Sequence, residues 1–137
     1  FEGCLLVRGT EGGVIPSLRQ QGMIFRYDNL NQESPVEISP TSLSIDQSVR
    51  AVPLPDHPAI QRNDDDVARI SDITQAAEIA AETALEALQG KSGPAYDSLV
   101  YSCAVTLWHS GRHASLEQAA AQVRQVLDSG QAADRLR

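Results

Sequence analysis

The apolar positions of this chain fall into two regimes. Cys4-Leu5-Leu6-Val7 is a short continuous apolar run closed by Arg8-Gly9, which predicts a strand covered on both faces, as in parallel sheets. The loop Gly9-Thr10-Glu11-Gly12-Gly13 follows. Met23 to Tyr27 alternates weakly as a second strand, Asp28-Asn29-Leu30-Asn31 supplies turn residues, and Val36-Glu37-Ile38 resumes extended structure. Residues 39–66 read as loop-rich. Pro40, Pro53, Pro55 and Pro58 break helices there, and Asn63-Asp64-Asp65-Asp66 crowds like charges that only solvent relieves.

From Ile73 the period becomes helical. Ile73, Ala76, Ala77, Ala80, Ala84, Leu85 and Leu88 share one stripe, with Asp72 placed to cap the helix and Gly90 to end it. Pro94 and Gly111 bracket a second helix whose Leu99, Val100, Cys103, Ala104, Leu107 and Trp108 make an almost wholly apolar body, so it is expected in the core. Ser115 followed by Gln118 is a capping-box pair opening a third helix through Ala119, Val123, Val126 and Leu127, stopped by Ser129-Gly130, with a last turn over 132–136. Strands first and helices later predict an α/β layer structure: 1–70 strands and loops, 71–137 helical. A strand buried on both faces needs neighbours on both edges. The chain is therefore expected to be a portion of a mostly parallel sheet flanked by helices, completed by sequence upstream of Phe1. Its start without Met or signal peptide fits that expectation.

Charge and cysteine usage narrow the function classes. The net charge of -7 is concentrated in residues 28–97, and ten of the eleven cations are Arg. An acidic surface repels phosphate backbones, so the basic footprint of a nucleic-acid-binding domain is missing. The apolar runs are far too short to span a bilayer, so no membrane contact is expected. Cys4 and Cys103 have no metal-type spacing, which fits a reducing, cytoplasmic setting.

One series of residues resembles a known family. Gly90-Lys91-Ser92-Gly93-Pro94, then Asp97, the Ala/Leu-rich helix, Gly111, Ser115 and Leu127-Asp128-Ser129-Gly130-Gln131-Ala132 look like the C-terminal end of anthranilate phosphoribosyltransferase. Leu5-Leu6-Val7-Arg8-Gly9-Thr10-Glu11-Gly12 resembles that family's late sheet strand and its Gly-acid-Gly loop. The resemblance implies that residues 1–137 are the C-terminal part of the large α/β domain of a homodimer. It also implies phosphoribosyl transfer from phosphoribosyl pyrophosphate onto anthranilate, with Mg²⁺, in tryptophan biosynthesis, with the diphosphate loop and the basic substrate-binding residues upstream. Gly9, Thr10, Glu11 and Gly12 become the candidate ligand-binding residues. The family's Mg²⁺-holding Asp-Glu pair corresponds to Val14 and Ile15, and neither aliphatic side chain can supply the hard oxygen ligand that Mg²⁺ takes. Loss of those acids with retention of Gly-Thr-Glu-Gly also resembles a divergent, nucleic-acid-binding branch of the family. The alternative reading is therefore a non-catalytic paralogue that binds nucleic acid.

Other groups read as structural. Glu11 either faces a ligand or caps loop N–H groups. Gly9-x-x-Gly12-Gly13 lacks Walker and Rossmann spacing, and Asp64-Asp65-Asp66 lacks the EF-hand pattern. His109 and His113 stand four apart like a zinc pair, but Gly111 interrupts the helix between them and no third ligand follows. Cys103 and Trp108 are expected in the core, and Ser110 has no base to make it a nucleophile.

Overall fold

The structure is a computed structural model that describes residues 4–7, 16–27, 32–58, 60–62 and 68–136. Three strands, β1 (Cys4–Val7), β2 (Gly22–Tyr27) and β3 (Glu33–Ile38), form a sheet in sequence order. Both pairings are antiparallel, with Leu6 opposite Phe25 and Phe25 opposite Pro35. The expectation of a mostly parallel sheet is corrected by these pairings. A parallel neighbour needs a crossover of a dozen or more residues, usually a helix, and no α-helix lies among the described residues before Ile73. The apolar run of β1 misled because Leu5 and Val7 pack on the core while Leu6, between them, stays 51% exposed.

After β3 a 3-10 turn at Pro40–Leu43 carries the chain inward, and Leu43 and Ile45 join the core. A small hairpin follows, its first strand inside the segment expected to be loop: β4 (Ile60–Arg62) pairs antiparallel with β5 (Ala68–Ile70). Strands of three residues are too short to show a period in sequence.

Four helices complete the chain: α1 (Ile73–Leu88), α2 (Pro94–His109), α3 (Leu116–Asp128) and α4 (Gln131–Asp134). Their ends follow the expected signals. The Asp72 side chain accepts from Gln75 N–H at 3.0 Å, and Ser115 Oγ accepts from Gln118 N–H at 3.2 Å. Pro94 sits in the first turn of α2, where its missing N–H costs nothing.

The core gathers the inner face of the sheet (Ile24, Ile38), Leu18, and the facing sides of α2 and α3. Helix α2 buries Tyr96, Ser98, Val100, Tyr101, Ala104 and Val105, and α3 buries Ala119, Ala120, Val123 and Leu127. Two helical expectations change. Cys103 is exposed rather than core, and α1 buries only Ala76 and Ala87, leaving Ile73 77% and Leu85 44% exposed. The α1 stripe is a real apolar face that these residues do not cover.

Tyr101 is fully buried, yet its hydroxyl has no hydrogen-bond partner among the described residues. Burial pushes its phenol up to about 12, so it stays neutral. A buried, unsatisfied hydroxyl costs about 1–3 kcal/mol of desolvation. Tyr101→Phe removes that cost without opening a cavity, so urea denaturation is expected to show unchanged or increased stability. A loss above about 1 kcal/mol would show that the hydroxyl is satisfied.

Candidate functional site

The loop carrying Gly9, Thr10, Glu11 and Gly12, with Val14 and Ile15 beyond it, lies outside the described residues. Its two flanks do not. Val7 ends β1 against the core, and Pro16 is buried. Ser17 Oγ then accepts from Arg19 N–H at 3.3 Å and Gln20 N–H at 3.1 Å, closing a local turn. Leu18 is fully buried, and its N–H donates to the Arg50 carbonyl at 2.9 Å. Arg19 Nη1 donates to the Ser48 carbonyl at 3.2 Å. The far flank of the loop is thus pinned to the segment around residue 50 by one buried side chain and two long-range hydrogen bonds.

The second group of resembling residues meets at one junction. Gly90 follows α1 with φ +85°, a left-handed conformation that ends helices and favours glycine. A Cβ there would lie 3.1 Å from Asp128 Cα and 3.2 Å from the Leu127 carbonyl oxygen, so α3 approaches the 90–93 turn backbone to backbone. Tyr96 OH donates to Asp128 Oδ1 at 2.8 Å. Burial, followed by this bond, pushes the Tyr96 phenol up to about 12 and keeps the proton in place. Asp97, in the first turn of α2 where the helix dipole favours an anion, accepts from Gln47 Nε2 at 2.6 Å. One turn earlier on α3 than Asp128, Arg124 reaches across to donate to the Leu43 carbonyl.

Beside this junction runs a shallow groove between the 52–55 segment, α1 and the start of α2. It holds two adjoining hollows of about 250 and 270 Å³ that share Val52, Pro53, Pro55, Thr83, Ala87 and Ala95. Its walls are mainly apolar. At one end Lys91 Nζ is paired with Glu86 at 2.7 Å on the exposed surface, so the groove presents apolar contact area and one neutralised cation.

The remaining candidates separate. His109 packs at the end of α2, where burial first and the Arg26 charge second lower its pKa. Arg26, on the inner side of β2, stacks 5.2 Å from the Trp108 ring centre, a cation–π contact that fastens the sheet to α2. Among the described residues, no group of three or more His, Cys, Asp or Glu side chains could hold a metal ion. No described helix is long and apolar enough to cross a membrane. Sequence reasoning missed the ties of Tyr96 to Asp128, Gln47 to Asp97 and Arg124 to Leu43. Partners 32, 50 and 81 residues apart leave no local signal.

No protein-family model matches this chain, and no curated protein matches it.

The junction makes a measurable claim about Gly90. Gly111 also has positive φ, +72°, but an added Cβ there would meet nothing within 4 Å. Gly111→Ala is therefore expected to lose only the left-handed backbone cost, about 1–2 kcal/mol. Gly90→Ala carries that cost plus a backbone clash with α3, so its loss on denaturation should be clearly larger. Equal losses would mean that the close approach of α3 to residue 90 is not a real constraint.

Proposed function

We propose that this chain is the C-terminal segment of a protein of the anthranilate phosphoribosyltransferase type, in which its residues build and hold the large domain rather than react. The observation that carries the reading is the junction. Gly90, Asp97 and Asp128 belong to the series that resembles the family, and each has a packing or hydrogen-bonding role near the meeting of α1, α2 and α3, Asp128 as acceptor for the Tyr96 hydroxyl. On this reading the whole protein is a cytoplasmic homodimer acting on phosphoribosyl pyrophosphate and anthranilate. The bond from ribose C1 to the pyrophosphate oxygen breaks, the electron pair leaving with pyrophosphate, as the amine nitrogen of anthranilate bonds to that carbon and gives up one proton. Positive charge builds on the ribose and negative charge on the departing pyrophosphate, and the groups that balance them belong to upstream sequence.

Mg²⁺ does not fit the positions that would hold it. Val14 and Ile15 stand where the resemblance calls for an acid pair, and their aliphatic side chains offer no oxygen. Those two residues favour a second reading: a paralogue that has left phosphoribosyl transfer and binds nucleic acid. The acidity of residues 28–97 opposes a nucleic-acid contact through this segment, which leaves that role to upstream residues.

The two readings differ in turnover. Full-length protein, assayed with phosphoribosyl pyrophosphate, Mg²⁺ and anthranilate, is expected to turn over very slowly. Val14→Asp with Ile15→Glu should raise the rate if the rest of the enzyme's machinery persists. Robust turnover by the unaltered protein would contradict the assignment of Val14 and Ile15 as a lost metal site. No turnover by either form, with salt-dependent binding of single-stranded nucleic acid, would favour the paralogue.

A further inference from the structure

We propose that Arg26, Trp108 and His109 form an acid-sensitive joint between the sheet and α2, closed while the His109 imidazole is neutral and opened when it takes up a proton.

The joint joins side chains of two elements. Arg26 lies on the inner side of β2, between Leu5 of β1 and Ser34 of β3, and its guanidinium carbon stands 5.2 Å from the centre of the Trp108 ring. His109 is the next residue and the last of α2. It is half-buried, and its Nδ1 is buried with no hydrogen-bond partner among the described residues. A neutral imidazole can leave that nitrogen as a bare acceptor and keep its one proton on Nε2. An imidazolium cannot, because both of its nitrogens are donors. Protonation therefore brings an unsatisfied N–H and a positive charge into the joint together.

Among the described residues, the neighbouring elements bring no free anion to offset that charge. From β2 the group that acts on His109 is Arg26, a like charge. Cys4, Tyr27 and Glu33 lie opposite one another in the register that carries Leu6 and Phe25 on the outer face, and the Tyr27 hydroxyl donates to the Glu33 carboxylate. The turn after α2 holds Arg112 and His113, and α3 opens with Glu117, whose carboxylate accepts from its own N–H and the Ser115 hydroxyl. The carbonyl end of α2 favours a cation. Burial, with the Arg26 charge second, outweighs it and holds the His109 pKa below its ordinary value. An imidazole that swings out regains water and leaves Arg26, so protonation favours the open joint. The sign follows by linkage: the stabilisation is complete above the unfolded-state value of about 6.5 and is lost as pH falls through the lower folded-state value.

Trp108 is the only tryptophan of the chain, so its fluorescence reports the joint without a label. Acrylamide, an uncharged quencher, is expected to quench it at least twofold more strongly at about pH 5 than at about pH 7.5, a window that spans the histidine range, while far-UV circular dichroism stays native. His109→Gln should keep the weaker quenching throughout, and His113→Gln, in the turn beyond the joint, should respond like the unaltered chain. Arg26→Gln should be quenched strongly at both pH values. By NMR it should also raise the titration midpoint of His109, because the repelling charge is gone; this readout decides the matter even if His109→Gln does not fold. PH-independent quenching in the unaltered chain, a rise that survives His109→Gln, or an unmoved His109 midpoint in Arg26→Gln would overturn the proposal. So would loss of the far-UV signal in step with the quenching, because acid would then unfold the whole chain rather than open the joint.

Discussion

Helix α2 is apolar around so much of its circumference that it is stable only where other elements cover it, and the fold is arranged to provide that cover. Tyr96, Val100, Tyr101, Ala104 and Val105 spread around about half the helix and are all buried. Small residues on α3, Ala119 and Ala120, let that helix approach closely, while Ile24 and Ile38 bring the sheet into the same core. Three neighbouring parts of the fold are tied to this centre by single contacts. Tyr96 holds the end of α3, Asp97 holds Gln47, and Arg26 holds the sheet to Trp108. Each of these three ties has one end on α2, whereas Arg124 to Leu43 and Leu18 to Arg50 fasten other segments to one another.

That arrangement explains why residues that resemble an enzyme's motif behave here as architecture. Glycine at 90 is required by a left-handed turn and by the backbone of α3 beside it. Asp128 is required as an acceptor for a phenol that is otherwise buried. Such constraints account for glycine at 90 and aspartate at 128 through packing and hydrogen bonding. In the phosphoribosyltransferase reading the segment is a frame, and its reactive partner surfaces lie elsewhere in the protein.

How far the fold was legible depended on whether the signal was local. Helix ends were readable because capping is local: Asp72, Pro94, Gly90, Ser115 and Gly130 each act within a few residues. The orientation of β1 was not, because an apolar run states that a strand is covered without stating by which neighbour. The hairpin of β4 and β5 was hidden by its three-residue strands, and the exposure of Ile73 and Leu85 by the fact that a stripe shows which face wants cover, not whether cover is present. Of the candidate site, Gly9 to Gly12 were found by resemblance alone and fall outside the described residues. The ties around Asp128 and Asp97 needed the folded chain to bring distant segments together.

Native-state hydrogen exchange tests most directly whether α2 is the centre on which the rest depends. The account requires the amides of residues 100–105 to exchange only through global unfolding, with free energies equal to that measured by denaturant. The amides of α1, which buries little more than Ala76 and Ala87, should exchange through smaller openings that leave α2 protected. If α1 proved as protected as α2, or if α2 opened while the sheet stayed closed, the central role assigned to that helix would be contradicted.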